Sequence, residues 1–233
     1  MNKQKREHQQ QVKAQKQAAA ARNKKLLRFA MFGAAALLAV FLVFSFAQNM
    51  ALTVPANSEV ISTDQSKGFQ KSPVILIEYS DFQCPACRAQ HNTIRAAWPD
   101  IRRKVHFVYR HYPLVNIHPH ANLAAHYAEA AGQQEKFWEM HDQLFDNQTA
   151  WAELDDPTEK FDEYARAINL DLDKLKADLE SDVVKDKVRG DIASARDAGV
   201  RSTPTLFLNG EMLSNVRGKD QLVEAVDTAW DMR

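Results

Sequence analysis

The sequence predicts an α/β fold in the order βαβ…ββα, with an all-helical subdomain inserted in the middle and one transmembrane helix in front. Three observations carry this. First, an apolar run at residues 73–77 leads into Cys84-Pro85 and then an alternating run at residues 105–109. Strand, helix, strand in that order implies a parallel pair joined by a right-handed crossover. Second, from about residue 122 to 198 the spacing is helical, with no strand pattern. Third, β-prone residues return at 205–208, just before Asn209-Gly210, the strongest short-range hairpin signal.

A chain of 233 residues can bury one good core with a subdomain. Its formal net charge of zero conceals two halves. Residues 1–28 carry nine Lys and Arg against one Glu, which leaves 21 basic and 29 acidic residues in the rest. The acidic part does not have the charge of a nucleic-acid binder, and no nucleic acid is expected among the partners. Residues 1–28 are rich in Lys, Gln and Ala without an apolar stripe, as in a solvated cytoplasmic tail. Residues 29–47 contain no charge over 19 positions, enough for a helix of roughly 28 Å, about the hydrocarbon thickness of a bilayer. Basic residues before this segment place the N-terminus in the cytoplasm and residues 48–233 outside, so the folded domain is expected in the periplasm, held at the inner membrane. A cleaved signal peptide is the rival reading, because Ser45-Phe46-Ala47 has small residues at cleavage spacing. Against it, the preceding region is long and the apolar run exceeds the roughly 7–15 residues of a signal core. In both readings the folded part is extracytoplasmic, where disulfides form and persist.

Residues 48–72 form a polar linker, with a short strand expected near Val60-Ile61. Residues 73–77 then read as a strand buried on both faces. Pro85 opens a helix running to Trp98, at a first-turn position where its missing N–H costs nothing. The expected α/β domain comprises residues 73–114 and 200–233, and residues 115–199 form the insertion. Within the insertion, Phe137, Trp138, His141, Leu144 and Phe145 lie on one helix face and read as core. Pro157, Asn169 and Ser181-Asp182 punctuate the helices, and Gly199 sits where a C-terminal cap belongs. After the hairpin, residues 211–213 return antiparallel. Residues 220–230 close the chain as an amphipathic helix carrying Leu222, Val223, Ala225, Val226 and Trp230.

Cys84 and Cys87 are the only cysteines, too few for a disulfide framework, and one CxxC is half of a four-thiolate zinc site. At a helix N-terminus Cys84 faces unpaired backbone N–H groups and the positive end of the dipole, which favour thiolate. A redox pair follows, in which Cys84 attacks and Cys87, one turn inside the helix, resolves the mixed disulfide. Two other readings stay open. A structural disulfide would close so short a loop that it would stabilise little. A metal site would need ligands from His91, His106, His111, His118, His120, His126 or His141, of which only His118 and His120 are close in sequence. Glu78, six residues before Cys84 in an apolar strand, is either a buried acid of raised pKa passing protons to and from Cys87, or an outward-facing strand-end residue. Its position alone leaves both open.

These residues resemble the thioredoxin superfamily, through Glu78…Cys84-Pro85-Ala86-Cys87 after a strand and Thr203-Pro204-Thr205 before a strand and an Asn-Gly hairpin. Tyr109-Arg110-His111-Tyr112-Pro113-Leu114 and Phe137-Trp138-Glu139-Met140-His141 narrow the resemblance to the DsbA-like thiol:disulfide oxidoreductases, over roughly residues 58–233. It implies a thioredoxin fold with an inserted helical domain. It also implies Cys84 as nucleophile, Cys87 as resolving cysteine, Glu78 as the buried acid and Pro204 as a cis-proline beside the pair, with Thr203 pairing its backbone to an extended substrate. The implied activity is introduction of disulfides into reduced or unfolded exported proteins, with a membrane redox partner recycling the Cys84–Cys87 disulfide. No organic cofactor and no metal is implied, and a monomer is expected. The strongly oxidising members carry Pro-His between the cysteines, where this chain has Pro85-Ala86. Loss of that cationic neighbour implies a less oxidising pair, within the span of about −270 to −120 mV. A reductase or isomerase of the same fold is the alternative, though isomerases usually add a dimerisation domain. A metal-binding or chaperone module stands further off.

Overall fold

The structure, a computed structural model, describes residues 59–233 except Asn215 and Arg217. The expected tail at 1–28, the transmembrane helix at 29–47 and the first part of the linker lie outside the described residues. Among the described residues no helix is long and apolar enough to cross a membrane.

Five strands, β1 (Gln65–Gly68), β2 (Ile75–Ser80), β3 (His106–His111), β4 (Thr205–Leu208) and β5 (Glu211–Met212), form a mixed sheet in the order β1-β3-β2-β4-β5. β2 and β3 are parallel, joined by helix α1 (Pro85–Ile101), and the other pairings are antiparallel. Glu78 is therefore central in the sheet, opposite Tyr109 on one side and Leu206 on the other. β2 begins later and runs further than the apolar run at 73–77, because Glu78, Tyr79 and Ser80 are buried and paired as well. β3 likewise continues through Arg110 and His111, both buried.

One expectation is corrected. The strand expected near Val60-Ile61 falls instead at Gln65–Gly68, antiparallel to β3. This is an edge strand held by backbone pairing, so it needs no apolar alternation, and Gln-Ser-Lys-Gly shows none. Gly68 has φ +93, and a Cβ there would come 2.5 Å from the Val105 carbonyl oxygen, so only glycine suits the position.

Between β3 and β4 lie helices α2 (Ala121–Gly132), α3 (Phe137–Asp146), α4 (Gln148–Trp151), α5 (Thr158–Ala167), α6 (Leu172–Glu180) and α7 (Asp182–Asp197), and α8 (Lys219–Asp231) closes the chain. Asp171 caps α6 by accepting from the Lys174 N–H, and Ser181 caps α7 by accepting from the Val184 N–H. Gly199, at φ +74, ends α7, and the Val200 N–H then reaches back to the Ala195 carbonyl at 2.9 Å. Asn209 and Gly210 both have positive φ, as the tight hairpin between β4 and β5 demands.

The two faces of the sheet are covered differently. Leu76, Phe107, Leu206 and Leu208 pack on Ile94, Ala97 and Ile101 of α1 and on Leu222 and Val226 of α8. On the opposite face Ile77, Tyr79, Val108 and Phe207 pack on Ala195 of α7 and Val200. The core of the helical insertion, around Tyr127, Phe137, Phe145, Trp151 and Phe161, also takes in Phe82, Cys84, Cys87 and Tyr109. The cysteine pair thus sits where the insertion meets the first face of the sheet.

Candidate active site

Asp81 organises the turn between β2 and α1. Its Oδ1 accepts from the Gln83 N–H at 2.8 Å, and its Oδ2 accepts from the Leu114 N–H and from His118 Nδ1, each at 2.8 Å. Its carbonyl accepts from the Cys84 N–H at 3.1 Å. Held in this way, Cys84 is the N-cap of α1 with extended backbone (φ −73, ψ 122) and Pro85 opens the helix. The insertion holds the other side of the turn. Gln148 Nε2 donates to the carbonyls of Phe82 (2.7 Å) and Cys84 (3.0 Å), and Gln83 Nε2 donates to the Ala152 carbonyl at 2.7 Å.

Pro85 and Ala86 are exposed, Cys84 is 7 % exposed and Cys87 is 0 % exposed, so a partner arriving from solvent meets Cys84. Both thiols are free. The Thr203–Pro204 peptide is cis, and the Thr203 carbonyl accepts from Cys84 Sγ at 3.6 Å, across 119 positions of sequence. Cys84, Cys87, Thr203 and Pro204 therefore meet at one end of α1.

The two thiols are driven apart. A hydrogen bond from the Cys87 thiol, with help from the backbone N–H groups of Cys87 and Ala86 and from Thr203, outweighs burial and brings Cys84 down to about 5. Burial, reinforced by Cys84 itself, pushes Cys87 well above the ordinary thiol range. Ala86 carries no imidazole, but its backbone N–H still contributes.

Glu78 is a buried residue, not an outward-facing one. Burial raises its carboxyl to about 7, against smaller pulls from the Ser80 hydroxyl and the Lys67 ammonium. Its Oε1 has no hydrogen-bond partner among the described residues. Glu78 also lines a cavity of about 280 Å³ between the sheet, α1 and α3, shared with Lys67, His91, Trp98, His141 and Asp142. Lys67 reaches in from β1, its Nζ 4.0 Å from the Trp138 ring centre and 5.0 Å from that of Trp98.

Sequence reasoning missed Asp81, Gln83, Gln148 and Lys67. Asp81 had a local signal, an aspartate two residues before an N–H it can cap. Gln148 and Lys67 had none, since each acts only through the tertiary fold. His118 and His120, the close pair in sequence, do not converge on the cysteines. His118 serves Asp81, and His120 Nε2 bonds the Leu154 carbonyl at 2.7 Å. Among the described residues, neither group of clustered His, Asp and Glu side chains includes a cysteine.

Residues 61–228 match the family described as thioredoxin. Among curated proteins, the Na(+)/H(+) antiporter NhaA 3 of Salinispora tropica is 34% identical over 179 residues, 77% of this chain and 26% of that protein. The chain thus spans about a quarter of the length of the curated relatives it matches. Among solved structures, a thioredoxin-like oxidoreductase from Silicibacter pomeroyi superposes with a TM-score of 0.64 at 24% identity, covering 76% of this chain and 97% of that one. The thiol-disulfide exchange protein alpha-DsbA2 of Wolbachia pipientis gives 0.63 at 23% identity, covering 72% and 88%. At these identities the two structures speak for the fold, a thioredoxin-like α/β arrangement with a mixed sheet.

Proposed function

The chain belongs to the thioredoxin family, and from that premise we propose that it is a membrane-anchored, extracytoplasmic oxidoreductase that donates its Cys84–Cys87 disulfide to exported proteins. The observation that carries the chemistry is the inequality of the two thiols, one still 7 % exposed and held at about 5, the other with no exposure and pushed above its ordinary range. A substrate thiolate attacks Cys84 Sγ, a new S–S bond forms, and the old bond breaks with its electron pair on Cys87. Glu78, half protonated near neutrality, supplies the proton that Cys87 then holds. A second substrate thiolate attacks the substrate sulfur of the mixed disulfide, and Cys84 departs as a stable thiolate. The substrate leaves oxidised, the enzyme is left as the dithiol, and a membrane redox partner restores the disulfide.

Two features suit an unfolded chain as substrate. The Thr203 backbone, its carbonyl 3.6 Å from Cys84 Sγ, would pair with an extended segment. Val115 and Ile117, 54 % and 68 % exposed, lie on the loop that Leu114 and His118 tie to Asp81, and offer apolar contact. Anchoring by residues 29–47, action as a monomer and the identity of the recycling partner belong to this proposal.

A Cys84 value of about 5 lies between the roughly 3.5 of the strongest oxidant of the superfamily and the roughly 7 of thioredoxin. Equilibration of the pure protein against glutathione buffers should accordingly give a potential between about −120 and −270 mV. A value at the thioredoxin end overturns donation and leaves the second reading, a reductase working from the dithiol, which Ala86 in place of a histidine favours. In the same preparation Cys87→Ala should accumulate mixed disulfides through Cys84 and Cys84→Ala should not. If neither variant traps a partner, the assigned roles are wrong.

A further inference from the structure

Three buried oxygen atoms on one face of the sheet have no hydrogen-bond partner among the described residues: Glu78 Oε1, Ser80 Oγ and Tyr109 OH. Their residues are 2 %, 1 % and 0 % exposed, and buried polar atoms are seldom left unpaired without a chemical reason. They are also neighbours. Glu78 and Ser80 are two apart on β2 and share a face, and Tyr109 is the register partner of Glu78 on β3. Cys87 packs in the same cluster as Tyr109. The Ser80 hydroxyl acts on Glu78, Cys87 and Tyr109 alike, yet completes a hydrogen bond of ordinary geometry with none of them.

We propose that Ser80 Oγ carries the proton between Glu78 and Cys87. The inference rests on the reading of Glu78 as the acid of the exchange reaction and names the atom through which that acid acts. When a thiolate attacks Cys84 and the Cys84–Cys87 bond breaks, the electron pair remains on Cys87 Sγ. The Ser80 O–H gives its proton to that sulfur and takes the proton of the Glu78 carboxyl. The step ends with Cys87 as thiol, Ser80 again as hydroxyl and Glu78 as carboxylate, with no other reactant. A hydroxyl suits this post because it donates and accepts at once, and because its single rotor can turn between two partners when neither holds it. Tyr109 cannot replace it, since burial first, then the nearby Glu78 and Cys87 charges, keep the phenol proton in place. The other charged groups around Glu78 are Lys67 from β1, His91 and Arg95 from α1, and His141 and Asp142 from α3, all on the cavity side of the carboxyl.

The test is the rate at which dithiothreitol opens the Cys84–Cys87 disulfide, divided by the dithiothreitol thiolate concentration and followed from pH 5 to 9. In the unmodified protein this quotient should fall as pH rises through the Glu78 titration, about 7, because the proton donor is lost. Ser80→Ala should lower the quotient at least ~10-fold on the acid side and flatten its pH dependence. Ser80→Thr, which keeps the hydroxyl, should restore both. If Ser80→Ala folds and keeps the full rate with the same inflection, the proposal is overturned. Glu78→Gln separates the two layers. If Glu78→Gln alone removes the inflection, Glu78 is the acid and Ser80 is not its carrier; if the inflection survives Glu78→Gln, the reading of Glu78 itself fails.

Discussion

Two polar clusters sit back to back on the same pair of strands, one on each face of the sheet, and are treated in opposite ways. On one face Arg110 is 2 % exposed and fully engaged. Its guanidinium grips Asp64 through Nε at 3.0 Å and Nη2 at 2.7 Å, and reaches the Glu59 carbonyl, the Tyr79 hydroxyl and Ser194 Oγ. On the other face Glu78 stands with a tyrosine (Tyr109), a serine (Ser80) and Cys87, a closely matching set of side chains, and its Oε1 is left without a partner. The registers are adjacent, Tyr79 opposite Arg110 and Glu78 opposite Tyr109. A buried charge with all its donors satisfied stays charged and holds structure together. A buried carboxyl left unsatisfied titrates near neutrality, and so can give and take a proton.

The largest effect that would break this contrast is expected at Arg110. Arg110→Met leaves the Asp64 carboxylate buried without its fork, and urea unfolding should show a loss of about 3–5 kcal/mol. A loss below about 1 kcal/mol would mean that the cluster is not the structural member of the two. Glu78→Leu should go the other way, and only at high pH. With its folded value raised to about 7 from an ordinary 4.5, Glu78 adds stability that is fully present below about 4.5 and is lost as pH rises through about 7. At pH 8 the buried carboxylate therefore costs on the order of 3 kcal/mol. In the disulfide form, where no thiol titrates, Glu78→Leu should be more stable than the parent at pH 8 by about that amount, and the gap should close towards pH 4. His141, which burial lowers to about 4, has an opposite pH dependence but is common to both proteins and cancels in the difference. The smallest effect sharpens the contrast most. Tyr79→Phe strips a partner from both Arg110 and Ser194 and should cost roughly 0.5–1.5 kcal/mol. Tyr109→Phe removes a hydroxyl that bonds nothing and should leave the thermal midpoint level or slightly raised. Equal losses would erase the distinction between the clusters.

What could be read in the sequence was what nearest neighbours or short motifs specify. Cys84 and Cys87 announce themselves by spacing, Asn209-Gly210 by its turn chemistry, and Glu78 by being a charge in an apolar run. Thr203 and Pro204 were found through resemblance alone, since nothing local ties them to residues 119 positions earlier. Ser80, Lys67 and Gln148 were invisible for one shared reason: a serine in a strand, a lysine on an edge and a glutamine in a short helix are ordinary until folding sets them beside Glu78 or Cys84. β1 was misplaced because backbone pairing leaves no mark on side-chain pattern. Arg110 entered only as part of a quoted motif, and its burial could not be guessed from a run that reads Tyr-Arg-His.

The complete burial of Cys87, three residues from a sulfur that reaches the surface, has a consequence in time. Once a partner is joined to Cys84, nothing in solvent can reach the second sulfur to hurry or delay the closing of the ring. The return of the partner unchanged, by Cys87 closing back on Cys84, therefore runs at a pace set inside the protein. A partner leaves oxidised only when its own second thiolate reaches its bound sulfur sooner than that.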